Sequence, residues 1–169
     1  MKKLLDNVSA GLYPNPVLLV SSEYLGEESI ITLSWAGNCC SNPPIMSLGI
    51  RKERHSHNII KQSLEFVINI PTSNMLDEVE LCGTKSGKDI DKWKECNFTK
   101  VQSKVVSVPH IEECPVSLEC KVNQIIELGS HDLFLGEVVA IHMDEKWKSE
   151  QYPNLLTYVR GIYKKCTEL

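Results

Sequence analysis

Apolar residues along the chain fall in short runs punctuated by Gly, Pro, Asn and Ser, a period-two pattern more often than a helical one. Pro16-Val-Leu-Leu-Val-Ser-Ser22 predicts a first strand, and Glu23 to Glu28, carrying Gly26, a polar turn. Ile30 to Ala36 predicts the strand that returns, so the two read as a hairpin. The Gly/Asn/Cys/Ser stretch from Gly37 to Ser41 reads as a turn and Pro43-Pro44 as a break. Ile45 to Arg51 then predicts a third strand with Met46, Leu48 and Ile50 on one side.

Ser56 to Ser63 predicts a short helix with Ser56 as its N-cap and Ile59 and Ile60 on the buried side. Glu65 to Ile70 is a strongly apolar strand closed by Pro71. Asn74 to Cys82 predicts a second helix, with Asp77 and Glu78 near its positive end and Gly83 as its stop. Thr84 to Asp91 reads as a polar loop leading to Lys92 and Trp93. The second half is richer in strands. Val116 to Leu128 alternates, and Leu133 to Met143 carries apolar residues on both faces, which predicts cover on both sides by the core and by a helix or a second subunit. Residues 144–157 are charged and loop-like, and Leu156 to Tyr163 is a last short element. Many short strands with two clear helices predict a mainly β fold, an antiparallel barrel or sandwich with appended helices rather than a parallel βαβ sheet.

Length and composition narrow this picture. At 169 residues the chain reads as one domain, residues 1–169, large enough to bury a core without staples. Its 42% hydrophobic and 24% charged content is ordinary for a globular protein. A formal charge of −4 argues against general nucleic-acid binding. Met1-Lys-Lys-Leu-Leu5 imitates the start of a secretion signal, but Asp6, Asn7 and Ser9 interrupt it, and no apolar run reaches the length of a membrane span. Seven cysteines without Cys-x-x-Cys spacing read as reduced thiols of a cytoplasmic protein, Cys39 and Cys40 among them as buried, inert side chains.

Candidate chemistry concentrates between Ser29 and Ile60. Arg51, Arg54 and His55 precede a helix start at Ser56, and guanidinium groups beside free helical N–H groups suit a phosphate. Thr32, Ser34 and Trp35 sit next to the small pair Ala36-Gly37, where an indole can lie along a flat ring, although core packing is the ordinary use of a lone tryptophan. Gly83-Thr-Lys-Ser-Gly-Lys88 imitates a P-loop, but its glycines are one residue too close and Asp89 stands where Ser or Thr is needed. It remains a candidate anion-contacting loop. No cysteine or histidine spacing fits structural zinc, so no metal site is expected.

The spelling of these segments adds more than their residue types. Ile-Thr-Leu-Ser-Trp-Ala-Gly, then Cys-Ser-Asn-Pro-Pro, then Ile-Arg-Lys-Glu-Arg-His-Ser-His-Asn-Ile-Ile resembles the flavin reductase-like, FMN-binding split-barrel family, and within it the flavoredoxin branch. Glu-Phe-Val-Ile-Asn-Ile-Pro, Cys-Gly-Thr-Lys-Ser-Gly-Lys-Asp-Ile-Asp-Lys-Trp, Leu-Gly-Ser-His-Asp-Leu-Phe-Leu-Gly-Glu-Val-Val and Tyr-Val-Arg-Gly-Ile-Tyr follow in the family's order, so the likeness spans about residues 10 to 165.

The resemblance implies a six-stranded antiparallel split β-barrel of Greek-key type with flanking helices, paired as a homodimer that binds FMN (FAD fits less well) near the interface. It implies that Thr32, Leu33, Ser34 and Trp35 line the flavin ring and that Cys40 and Ser41 follow along it. Arg51 and Ser56 would hold the phosphate, with Ser86 and Gly87 close by. Lys92, His131 and Tyr163 would lie around the ring, Lys92 at its polar edge favouring the reduced form. Ser29 stands where relatives often carry Asn, and Tyr163 where Phe is common, so these two contacts would differ. The implied function is redox chemistry through bound FMN, with Trp35, Lys92 and His131 nearest the reacting atoms and NAD(P)H or a redox protein as donor. A carrier without turnover of its own, or a reductase that releases reduced flavin, are the alternatives.

Overall fold

The computed structural model describes residues 1–4, 6, 8, 11–147 and 154–166. In chain order these form β1 (Asn15–Pro16), β2 (Leu18–Tyr24), β3 (Glu27–Leu33), β4 (Ala36–Ser41) and β5 (Pro44–Arg51). Then come α1 (His55–Ser63), β6 (Glu65–Ile70), a 3-10 turn (Ser73–Met75), α2 (Leu76–Thr84) and α3 (Lys92–Glu95). The chain continues through β7 (Lys100–Val101), β8 (His110–Ile111), β9 (Val116–Glu127), β10 (His131–Met143), β11 (Leu156–Val159) and β12 (Ile162–Lys165).

The main sheet has the order β3-β2-β6-β9-β10-β5-β4, every neighbouring pair antiparallel. Its strands curl around one core in which Leu18, Val20, Ile31, Leu48, Ile50, Phe66, Ile68 and Phe134 meet, with Ile60 of α1 added from one end. Residues from β3 and β5, far apart in the sheet order, share that core, so the sheet is rolled into a barrel that stays split between β3 and β4. Gly136 makes the centre possible: a Cβ there would lie 2.5 Å from the Phe66 ring. The expected six strands are seven. Ala36–Ser41, of which Gly37 to Ser41 reads as a turn because it is small and polar, pairs with β5 as the edge strand, with an irregularity between Asn38 and Cys40. Cys39 and Cys40 are exposed there, not buried.

β2 and β3 are buried on both faces. Val17, Leu19 and Ile30 point away from the barrel into a second core made with Met75, Val79 and Cys82 of α2, Trp93 of α3 and Leu156 of β11. The β2–β3 turn is the two-residue Leu25-Gly26, both at positive φ (52° and 85°), the geometry that matches strand twist. Within one chain β10 is only partly covered on its two faces, for which a second subunit is one of the expected covers. Two register shifts against β9, at Leu135/Gly136 and Val138/Ala140, break its alternation, and Ile141 and Met143 are 60% and 44% exposed.

Buried polar groups are tied down. Asn69 donates to the Leu19 carbonyl and Ser21 hydroxyl and accepts from Ile111 N–H and Ser117 Oγ. Glu119, fully buried, accepts from the backbone N–H groups of Lys104, Val105 and Val106 and from His142. Burial opposes its ionisation, but these four donors outweigh it and bring the carboxyl down to about 2. Among the described residues no helix is long and apolar enough to cross a membrane. Of the charged stretch 144–157, residues 148–153 lie outside the described residues.

Candidate functional site

Where β3 ends, the chain turns at Ser34-Trp35 before β4 begins, and the Trp35 carbonyl accepts from Gly49 N–H of β5 at 2.8 Å. A Cβ at Gly49 would press on the Trp35 side chain at 3.3 Å, so glycine lets β5 pass close without displacing the indole. The result is a cavity of about 500 Å³ opening beside the indole. Thr32, Leu33, Ser34 and Trp35 line it from β3 and the turn, Arg51 and Arg54 from the β5–α1 connection, and His131 from the start of β10. Glu80, Gly83 and Thr84 of α2 and Tyr158 and Tyr163 of the β11–β12 hairpin close the other side.

The Trp35 and His131 rings stack, centroids 4.4 Å apart and planes inclined by 22°. His131 faces Arg51 across the β10–β5 pairing, and Ser130 Oγ lies 2.8 Å from its Nδ1. Burial first, then the Arg51 charge, push its pKa down, so the ring is neutral at neutral pH. Among the described residues Arg51 has only the exposed Glu53 as an ion-pair partner, at 3.5 Å. An exposed pair of this kind is weakly held, which leaves the guanidinium available to an anion.

Arg54, with extended backbone, caps α1, and it does so without a side-chain bond. Ser56 is therefore not the N-cap. It is the second residue of the helix, its hydroxyl buried and 2.9 Å from the Ser29 hydroxyl of β3. Gly87 lies against Ser29 and the preceding helix residue, His55: a Cβ there would be 2.8 Å from Ser29 Oγ and 3.1 Å from the His55 ring. Ser29, Ser56 and Gly87 are thus brought together behind the first turn of α1. The Ser86 hydroxyl accepts from Lys88 N–H and shapes the loop itself.

α2 reaches the cavity because Gly83, inside its last turn rather than past its end, allows contact with Thr32 and the Tyr163 hydroxyl. The Thr32 hydroxyl donates to the Val79 carbonyl at 2.6 Å, so this side chain fastens β3 to α2. Tyr163 has its pKa raised by burial and by the neighbouring Tyr158 and Glu80, and it stays a protonated phenol.

Lys92 is placed elsewhere. It is 5% exposed, and its ammonium donates to the carbonyls of Ile30 and Cys82, each at 2.7 Å. It lines a separate cavity of about 390 Å³ with Ser29, Gly87 and Asp91, not the one holding Trp35 and His131. Burial lowers its pKa. Cys40 and Ser41, on exposed β4, do not line the larger cavity either. Glu80 and Tyr158 are lining residues that the sequence does not single out, whereas Arg54 is one of the two arginines read from it as suited to a phosphate. Arg54 stood in the basic run, and the Tyr158/Tyr163 pair was readable only once a hairpin placed them opposite each other.

Comparison with known proteins gives a consistent picture. A family model described as "Flavin reductase like domain" matches residues 10–167. An uncharacterized protein of Archaeoglobus fulgidus is 33% identical over 148 residues, 88% of this chain and 83% of that one. Among solved structures, the flavoredoxin of Desulfovibrio vulgaris is 28% identical with a TM-score of 0.90, covering 100% of this chain and 95% of that one. The flavoredoxin of Methanosarcina acetivorans is 26% identical, also at 0.90, covering 100% and 94%.

Proposed function

The chain belongs to the flavin reductase-like family, and from that premise we propose that it is a redox flavoprotein, a single domain that holds FMN in the cavity beside Trp35 and passes electrons through it. Bound flavin supplies one- and two-electron redox chemistry; the protein binds, orients and shields it. The observation that carries this reading is the sharing of one cavity by the Trp35–His131 stack and two guanidinium groups.

The residues fit the group. About 500 Å³ is within the range of cofactor sites. Arg51 and Arg54 form one basic cluster at the cavity, suited to one phosphate and so to FMN before FAD. Trp35, His131 and the Thr32–Ser34 backbone offer an aromatic and peptide wall for a flat ring, and Tyr163 a phenolic donor. Ser29, Ser56 and Gly87 stand behind these, fixing the helix start that carries Arg54. Lys92 holds β3 and α2 together and acts on the site through them. A second copy of the chain is the proposed cover for Ile141 and Met143 on β10.

The likeness to two flavoredoxins along the whole chain supports the same reading. A second reading, an electron carrier between protein partners, is favoured by the 47% exposure of Trp35, which leaves an approach beside the cavity. Anaerobic reduction of the FMN-loaded protein by NADH, by NADPH and by a small iron–sulfur protein separates the two. Bleaching of the flavin absorbance with a nicotinamide donor supports a reductase. Bleaching by the protein donor alone supports the carrier, and bleaching by none of the three contradicts the proposal.

A further inference from the structure

Two of the cysteines face each other in the second core. Cys82 on α2 and Cys96, the residue after α3, bring their sulfurs to 3.8 Å. Both belong to the packing around Trp93 and Val79, where Cys82 is fully buried and Cys96 partly so. Their backbones are fixed by a common residue. Lys92 accepts from Cys96 N–H at its own carbonyl, 3.1 Å away, while its ammonium grips the Cys82 carbonyl. Phe98 N–H donates to the Trp93 carbonyl and closes the turn that presents Cys96. A disulfide requires a sulfur separation of about 2.05 Å, so side-chain rotation has to close about 1.8 Å.

We propose that Cys82 and Cys96 are a redox modification site, a dithiol that converts reversibly to a disulfide by exchange with a low-molecular-weight disulfide. Cys96, the more accessible sulfur, attacks as its thiolate and expels one small thiol, leaving a mixed disulfide. The Cys82 thiolate then attacks the Cys96 sulfur and expels the second small thiol. Two protein thiols give up two electrons and two protons, and one external disulfide leaves as two thiols. Burial raises the pKa of both protein thiols, and the nearby Lys92 charge works against that rise. Exchange is therefore slower here than at exposed Cys39, Cys40 and Cys166.

The crosslink has a structural consequence at the cavity. α2 carries Glu80, Gly83 and Thr84 in the cavity wall and receives the Thr32 hydroxyl at Val79. Joining it to Cys96 closes the loop that contains Gly87, which rests on Ser29 and His55. The oxidised chain is then more resistant to heat, its Tm higher by about 5–10 °C. None of this depends on which cofactor the cavity takes.

Incubating the full-length native protein with oxidised glutathione, alkylating in denaturant and mapping tryptic peptides without reductant tests the site. Cleavage after Lys85 and Lys94 separates the two cysteines. The expected result is the Cys82 peptide joined to the Cys96 peptide, released by dithiothreitol, with Cys82 still alkylatable in Cys96→Ser. The proposal is overturned if both thiols stay alkylatable after Cys39, Cys40 and Cys166 have reacted. It is equally overturned if reaction stops at glutathione on Cys96, or if Cys82 is found joined to Cys114.

Discussion

The indole of Trp35 lies against the imidazole of His131 at 4.4 Å, bridging the β3–β4 turn and the start of β10 on either side of Gly49. Trp35 remains 47% exposed. This stack forms part of the cavity wall, and the proposed flavin ring would pack against it. Trp35→Ala is predicted to weaken FMN binding by about 0.5–1.5 kcal/mol. The fold should be retained because the indole lies outside both large cores. Titration of flavin fluorescence with the variant checks this, and an unaltered dissociation constant would remove Trp35 from the ring site.

Arg51 is proposed to meet the phosphate rather than the ring. Arg51→Ala should then cost about 1.5–3 kcal/mol of FMN affinity, the value of a hydrogen bond to a charged group. Riboflavin, which lacks the phosphate, should be affected far less. Equal losses for the two ligands would place Arg51 at the ring instead.

Lys92 answers to a different test. Lys92→Met removes an ammonium that satisfies two backbone carbonyls and leaves both unpaired in the second core. The expected loss is about 1–3 kcal/mol of folding stability, seen as a lower urea midpoint with the slope unchanged. A variant as stable as the parent, with weaker FMN binding, would return Lys92 to direct ligand contact.

These cases show what the sequence carried and what it withheld. Alternation located β2, β3, β5, β6, β9 and β10 because each sets apolar side chains against a core. It missed β4, whose Ala-Gly-Asn-Cys-Cys-Ser spelling offers nothing to bury and which forms because β5 leaves an edge to pair with. It missed α3, a single turn set by the Asp91 carboxylate accepting from Trp93 and Lys94 N–H. Trp35, Arg51, His131 and Tyr163, all singled out from the sequence, line one cavity. The place of Lys92 was not legible, since a lysine in a polar stretch gives no sign that its ammonium will be buried against two carbonyls. Ser56 was misplaced by one turn chemistry for another: a serine beside a helix start reads as a cap, and here its hydroxyl is engaged by Ser29 on a strand distant in sequence.

Glu119 makes a prediction about acid. Its carboxyl sits at about 2 in the folded chain, below its ordinary 4.5. A depressed carboxyl stabilises the fold fully above the unfolded value and loses that contribution as pH falls toward the folded one. Glu119→Gln should therefore cost about 3–5 kcal/mol near neutral pH, because an amide cannot accept from three N–H groups and His142 as a carboxylate does. The gap between the two proteins should narrow as pH falls from about 5 toward 2. Urea midpoints across that range check it, and a gap independent of pH would contradict the assignment of charge.

The central claim is that the cavity bounded by Trp35, His131, Arg51 and Arg54 is a flavin site. Titrating the purified protein with FMN by isothermal calorimetry, alongside Arg51→Ala, tests it most directly. Saturable binding of one FMN per chain, micromolar or tighter and weakened by the substitution, is the predicted result. No binding, or binding that Arg51→Ala leaves unchanged, would contradict it.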